Sequence, residues 1–319
     1  MNLLVTGGAG FMGSAFIRYL INENLVDQVI NYDLLTYAGN LKNLKGVDSN
    51  PKYKFVKGDI NDNELVKKIV IENDIDTIVN FAAETHVDRS ISNPGVFLET
   101  NVLGTHSLLK VVTELDLRFH HISTDEVYGA LDLESNDKFN EQTRYDPQSP
   151  YSASKAGSDH LAKAYFNTFG TRITISNSSN NYGPCQFPEK FIPLSITNIL
   201  KDKKVPMYGD GLYVRDWLYV DDHAKAIWTI LTKGVIGQSY CLGGESEKNN
   251  LEVAKTILKL LGKDESMIEY VEDRKGHDRM YAVDISKIKD ELGWKPEVSF
   301  EEGIEETIEF YQKILSSRT

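Results

Sequence analysis

Through the first part of the chain, short apolar runs alternate with longer stretches whose apolar residues recur at helical spacing. Leu3-Leu4-Val5-Thr6, Gln28-Val29-Ile30-Asn31-Tyr32, Tyr53-Lys54-Phe55-Val56, Thr77-Ile78-Val79-Asn80-Phe81, Arg118 to Ser123 and Arg172-Ile173-Thr174-Ile175-Ser176 read as strands. Between them, Ser14 to Leu20, Glu64 to Glu72, Val96 to Leu115 and a run from Tyr151 to about Phe169 read as helices. This alternation predicts βαβ units and a doubly wound, mostly parallel α/β sheet. It fades at Ser178 to Pro188, where Asn, Ser, Gly and Pro predict a loop leaving the sheet for a second, smaller region. Trp217 to Val220 and Asp222 to Leu231 predict a strand and helix that return to the first region. Glu252 to Leu261 and the amphipathic Glu301 to Leu315 predict packing helices. The expected division is therefore 1–178 with 217–237, and 179–216 with 238–319.

Composition narrows the possibilities. With 319 residues of which 41% are hydrophobic, the chain holds a core for one large or two modest domains. A net charge of -12 steers against nucleic acid and anionic membrane surfaces. Cys185 and Cys241 stand alone, without metal-ligand spacing, so neither a disulfide framework nor a metal site is expected. No apolar run approaches the roughly 18 residues of a spanning helix, and no basic leader precedes the first strand. A cytoplasmic protein that spans no membrane is expected.

The candidate chemistry begins at Gly7-Gly8-Ala9-Gly10-Phe11-Met12-Gly13, between the first strand and first helix. In a Rossmann sheet such a turn lets backbone approach a pyrophosphate, held by amide N–H groups and the positive end of the helix. Asp33, at the end of the next strand, is placed to accept hydrogen bonds from an adenosine ribose, which favours NAD over NADP. Asp59-Ile60 is placed to border adenine, and Ala82-Ala83 to lie beneath ribose. Thr85 and His86 follow on the substrate side, and Thr100 and Asn101 on the cofactor side. Asp125-Glu126 closes the fifth strand, at the sheet end where α/β proteins bind ligands. Tyr151 and Lys155, four apart, share one helical face. Farther on, Lys190, Arg215, Asn250 and Arg274 are candidates for gripping phosphates and sugar hydroxyls, and Tyr208 for stacking on a base. Taken singly, each of these is also an ordinary turn or surface residue.

Assembled, these residues resemble the extended short-chain dehydrogenase/reductase superfamily and, within it, the dTDP-glucose 4,6-dehydratases. The resemblance runs nearly the whole length through Thr6 to Gly13, Asp33 to Gly39, Ala82 to Ser90, Ser123-Thr124-Asp125-Glu126-Val127-Tyr128-Gly129, Tyr151 to Lys155, Ser179 to Pro184 and Val214-Arg215-Asp216-Trp217. The glycine turn and the Tyr-Lys pair mark the superfamily; the acid pair is far more specific. The resemblance implies an NAD site formed by Gly7, Gly10, Phe11, Met12, Gly13, Asp33, Leu34, Leu35, Thr36, Asp59, Ile60, Phe81, Ala82, Ala83, Thr85, Thr100, Tyr151, Lys155 and Asn181. It implies a dTDP-glucose site drawing on Thr85, His86, Thr124, Asn180, Lys190, Phe191, Pro206, Tyr208, Arg215, Asn250, Arg274 and His277. It further implies catalysis by Thr124, Asp125, Glu126, Tyr151 and Lys155, and a homodimer through helices near Thr100 and Ser154.

Tyr151, helped by Lys155 and with Thr124 on the 4-hydroxyl, would take the proton as C4 is oxidised. Glu126 would then take the C5 proton while Asp125 protonates the departing 6-hydroxyl. The sequence departs from the family where Thr85 replaces a familiar Ser, where Lys275 replaces a common Pro, and in a short loop between Gly129 and Tyr151. Three other readings stand beside this one. They are a 4,6-dehydratase acting on another nucleotide sugar, a 4-epimerase, which does not need the acid pair, and a dinucleotide-sensing protein without turnover.

Overall fold

Leu3, Leu4, Val5, Val29 and Ile30 have no exposed surface, because their strands lie at the centre of a parallel sheet covered on both faces. The computed structural model describes residues 1–273 and 278–316. The large sheet has seven strands: β1 (Asn2–Thr6), β2 (Gln28–Asp33), β3 (Tyr53–Lys57), β4 (Thr77–Asn80), β5 (Arg118–Thr124), β6 (Arg172–Ser178) and Ser239–Leu242. From one edge to the other they run Ser239–Leu242, β6, β5, β4, β1, β2, β3, and every pairing is parallel. The order reverses beside β1, which opens a crevice at the strands' C-terminal ends. Helices Phe11–Asn22 and Val220–Lys233 pack on one face through Phe16, Ile17, Leu20, Ile227 and Leu231. Helices Asn63–Glu72, Thr105–Glu114 and Pro150–Phe169 pack on the other through Val66, Ile69, Leu108, Val112 and Ala162.

The structure departs from the expected division at two places. The strand at Trp217 begins earlier, at Val214, and does not rejoin the large sheet. Val214–Tyr219 pairs in parallel with Asn180–Tyr182 and antiparallel with Glu247–Asn249, forming a small sheet of its own. Ser239–Leu242, expected in the second region, is instead the edge strand beside β6. Tyr240, Cys241 and Leu242 are fully buried there, which explains why the chain returns. Val205–Tyr208 and Ile268–Val271 make a further two-stranded sheet. The second region is held by Tyr182, Trp217, Tyr219 and Phe300 packed with Ile192, Ile196, Val253 and Ile257. Among the described residues, no helix is long and apolar enough to cross a membrane.

Two local features position the chemistry. The stretch expected as one helix from Val96 to Leu115 is broken: Pro94–Phe97 leads into a π-helical turn, Leu98–Gly104, before Thr105–Glu114. In this turn Asn101 exchanges hydrogen bonds with the Glu84 backbone, at 2.9 and 3.0 Å, and donates to Ser154 Oγ at 2.8 Å. Those bonds hold the widened turn against β4's exit and leave Thr100 on the cleft wall. The Pro150–Phe169 helix starts with a reciprocal cap, Ser149 Oγ accepting from Ser152 N–H and Ser152 Oγ from Ser149 N–H, both at 3.0 Å. Pro150 sits at the first helical position and Gly170, at φ +71°, ends the helix. A cap of this kind stabilises by about 1 kcal/mol. It also fixes the helical phase that places Tyr151 and Lys155.

Candidate active site

The crevice is walled first by the glycine turn. Gly7 adopts φ +66°, and a Cβ there would lie 2.6 Å from the Ala82 backbone N. A Cβ on Gly13 would lie 2.4 Å from the Gly7 carbonyl oxygen. Only glycine permits this approach of turn, helix and β4 exit. The Phe11–Asn22 helix that follows has no acid and no side-chain cap in its first turn, so its leading N–H groups are free to meet an anion. Asp33 stands opposite, 8% exposed, accepting from Ala9 N–H at 2.9 Å and Leu35 N–H at 2.7 Å. Burial pushes its carboxyl up and these two bonds oppose the shift. Its remaining lone pairs suit ribose hydroxyls, and its charge disfavours a phosphate at the same place. Thr36, Asp59 and Ile60 continue this wall, and Phe81, Ala82, Ala83, Thr85 and Thr100 line the cleft toward the chemistry. These residues fit the expected NAD.

The reactive end lies where β5 stops. A short 3-10 turn, Asp125–Tyr128, follows Thr124, whose Oγ1 accepts from Glu126 N–H at 3.3 Å and lies 3.2 Å from Asp125 Oδ1. Asp125 is 2% exposed, and its Oδ2 makes no hydrogen bond. Burial raises its carboxyl well above the ordinary range, and Glu126 and Asp216 add to the shift against Arg215. Asp125 is thus a carboxyl biased toward its protonated form with one oxygen uncommitted, whereas its neighbour Glu126 is only half-buried. Tyr151 has its hydroxyl pushed up by burial and then by Glu126, with Thr124 opposing. Lys155 is 3% exposed and donates to the Ile122 carbonyl at 2.7 Å. Burial pulls its ammonium down to about 8, with Asp159 opposing. One cleft therefore combines a phenol–ammonium pair with two carboxyl groups in different environments, which is the requirement for running acid and base steps side by side.

Asn180, Asn181 and Lys190 close the cleft from the second region, Lys190 donating to the Thr85 carbonyl at 3.0 Å. Leu34 lies on the wall, but Leu35, at φ +57°, turns the chain behind it and is not part of the lining. His86 is not among the lining residues, but its Nε2 lies 3.6 Å from Glu189, which is; burial lowers its imidazole and Glu189 opposes. Phe191, Pro206, Tyr208, Arg215 and Asn250 are not among the lining residues. Phe191 packs on the second core, while Pro206 and Tyr208 are held in Val205–Tyr208. Arg215 lies over the Tyr281 ring at 4.2 Å and donates to the Val214 and Asp278 carbonyls at 2.7 and 2.8 Å. Asn250 opens a helix and donates its backbone N–H to Tyr213. Arg274 and His277 lie outside the described residues. Sequence reasoning missed Glu84, Gln186, Phe187 and Glu189 on the cleft wall. The Gln186–Glu189 loop carries no periodic or motif signal before it folds over the crevice. Tyr37 meets Phe187 edge-on at 5.6 Å, with the Arg89 guanidinium 3.9 Å above the Tyr37 ring.

Comparison with known proteins agrees with this geometry. The family described as "GDP-mannose 4,6 dehydratase" matches residues 4–307. A dTDP-glucose 4,6-dehydratase of Escherichia coli is 50% identical, over 98% of this chain and 93% of its own. The dTDP-glucose 4,6-dehydratase of Bacillus anthracis, solved with NAD, superposes with a TM-score of 0.92 at 48% identity, covering 98% and 97% of the two chains. That of Streptomyces venezuelae, solved with NAD and dTDP, superposes at 0.95 with 46% identity, covering 99% and 98%. This chain belongs to the dTDP-glucose 4,6-dehydratases, within the extended short-chain dehydrogenase/reductases.

Proposed function

We propose that this protein is an NAD-dependent dTDP-glucose 4,6-dehydratase, converting dTDP-glucose to dTDP-4-dehydro-6-deoxy-glucose with no net redox change. The observation that carries this reading beyond membership of the family is the unequal acid pair beside Tyr151 and Lys155: Asp125 buried with its carboxyl raised well above the ordinary range, Glu126 more exposed. A 4-epimerase needs the phenol and lysine but no such pair. Bound NAD supplies a hydride acceptor at C4 and returns the hydride at C6. Tyr151 takes the 4-hydroxyl proton as a phenolate, the form that a Lys155 ammonium favours against the burial that opposes it, with Thr124 orienting the hydroxyl. The 4-keto group acidifies C5–H, which Glu126 removes as Asp125 gives its proton to the 6-hydroxyl, releasing water. Glu126 then hands its proton back to C5 as the hydride reaches C6, and the proton gained by Tyr151 makes good the one Asp125 gave up, so that only water leaves.

The glycine turn and Asp33 hold the dinucleotide, and Asn180, Lys190 and the rim residues Thr85 and His86 face the sugar. Arg215, Asn250 and Tyr208, beyond the cleft lining, serve the nucleotide end. Half-exposed Ile91, Leu98 and Leu103 around the π-helical turn support a homodimer through this face, and two free cysteines suit the cytoplasm.

Deuterium placed at C4 of dTDP-glucose is expected at C6 of the product, without consumption of added NAD. Loss of label to solvent, or release of one equivalent of reduced cofactor, would remove the dehydratase assignment in favour of a simple dehydrogenase. Asp33→Ala should reduce discrimination between NAD and NADP by about tenfold or more, the effect of one charge-assisted contact to ribose. Binding titrations of both dinucleotides to parent and variant check this, and equal binding by the parent would exclude the role given to Asp33.

A further inference from the structure

The face of the Pro150–Phe169 helix that presents Tyr151 and Lys155 continues one turn on with Ser158 and Asp159, all buried against the sheet. Asp159 has no exposed surface. Its Oδ2 accepts from Ser123 Oγ at 2.7 Å, Tyr145 Oη at 2.9 Å and Asn177 Nδ2 at 3.1 Å. Its Oδ1 faces His121 Nε2 at 3.4 Å and has no closer partner. The same nitrogen lies 3.4 Å from Lys155 Nζ and 3.1 Å from Ser158 Oγ. His121 is itself fully buried, stacked on Phe119, with Nδ1 3.3 Å from the Asn80 amide.

Three donors on one oxygen are what an ionised carboxylate requires and a neutral carboxyl cannot use fully. Burial would raise the Asp159 carboxyl, but His121, Lys155 and Ser123 together hold it below its ordinary value. His121 is pulled down to about 4, by burial and then by Lys155, so it is neutral near pH 7. Lys155 faces Asp159 and Tyr151 from its own helix and His121 from β5, and Asp159 further faces Tyr145 from the preceding loop. A buried anion without a nearby cation is strongly unfavourable, and so is the converse. We propose that Asp159 is the counter-charge that keeps Lys155 an ammonium beside Tyr151, with His121 as the neutral spacer between the two charges. Asp159 touches neither substrate nor cofactor and is a positioning residue acting through Lys155. The pairing itself is independent of the dehydratase reading; its kinetic consequence rests on that reading.

Lysine labelled with 13C at Cε, in the full-length protein, reads the pairing directly, with Lys155→Met assigning the resonance. In the parent, Lys155 should titrate near 8. In Asp159→Asn its midpoint should fall by about 1 pH unit or more, the effect of losing one nearby opposite charge. An unchanged midpoint overturns the proposal. Should Asp159→Asn not fold, Asp159→Ser removes the same charge with a smaller side chain and should lower the midpoint likewise, whereas Asp159→Glu, which keeps the charge, should hold it closer to the parent value; an unmoved midpoint in Asp159→Ser overturns the proposal equally.

The kinetic arm follows C4 oxidation of dTDP-glucose with pH. Asp159→Asn should move the alkaline limb of this step, where Lys155 loses its proton, to lower pH by about 1 unit, and slow the step by up to about tenfold above pH 8. In a Lys155→Met background the same substitution should change little. Equal slowing in both backgrounds, with an unmoved limb, assigns Asp159 a packing role only. A parent that never oxidises dTDP-glucose would discredit the functional reading while leaving the resonance titration to judge the charge pair.

Discussion

Asp125→Asn and Glu126→Gln should each slow turnover of dTDP-glucose by about 100- to 10,000-fold, the usual contribution of one positioned acid or base. Both variants should still oxidise C4, so absorbance of reduced nicotinamide should rise and persist on the protein in stopped-flow traces. The reason lies in how the two residues are seated. Thr124 ends a buried strand, and the tight turn after it drives Asp125 inward and leaves Glu126 half-buried. Burial raises the Asp125 carboxyl well above its ordinary value, which favours the form that carries the proton, and Oδ2 makes no hydrogen bond. The pH dependence follows with a definite sign. A raised acid keeps its proton to higher pH than an ordinary carboxyl, so elimination by the parent should persist above the usual carboxylate range and fall as pH rises through the raised value. Asp125→Asn has no proton to lose there, and its residual rate should lack that alkaline limb. Rapid-quench product analysis checks both points, after circular dichroism shows the variants folded. Unaltered turnover in both carboxamide variants would reduce the pair to turn residues and end the elimination mechanism.

Tyr151→Phe should fail one step earlier, with turnover and reduced-nicotinamide absorbance lost together, again by about 100-fold or more. The variant keeps the ring and its edge-on packing with Phe97, 6.3 Å between centroids. It removes only the hydroxyl that meets Thr124. Folding and cofactor binding should therefore survive, which separates this outcome from a structural defect. If Tyr151→Phe accumulated reduced cofactor as the carboxamide variants should, the division of labour between phenol and acids would be wrong.

Most of the large sheet was readable because each strand is a short apolar run with a helix after it, and burial on both faces leaves no polar ambiguity. The glycine turn, Asp33, Asp125, Tyr151 and Lys155 were readable because each is tied to a strand end or a helix start. Ser239–Leu242 was not, since its partner β6 lies far upstream and nothing near it in sequence states the pairing. Nor was the π-helical turn, which depends on Asn101 reaching Glu84 and Ser154 across the fold. Glu189 and Phe187 were missed because a loop's contribution to a cleft is decided by where it folds, which composition does not encode. Asp159 was passed over as a helical polar residue, its three donors coming from β5, β6 and a loop.

The late edge strand has a consequence for how the protein is made. Among the described residues, every one lining the cleft precedes Phe191, yet the sheet that frames the cleft is completed by Ser239–Leu242. At ribosomal speeds of roughly 5–20 residues per second, a nascent chain carries β6 with an unpaired side for on the order of several seconds. Parallel edges in that condition are templates for foreign strands. The polar residues Thr174, Ser176 and Ser178 along β6 leave its waiting edge less sticky than an unbroken aliphatic run would be. When Leu242 arrives its carbonyl also accepts from Ser179 N–H at 2.8 Å, so the last strand of the large sheet to be synthesised secures the chain at the point where the first-made crevice ends.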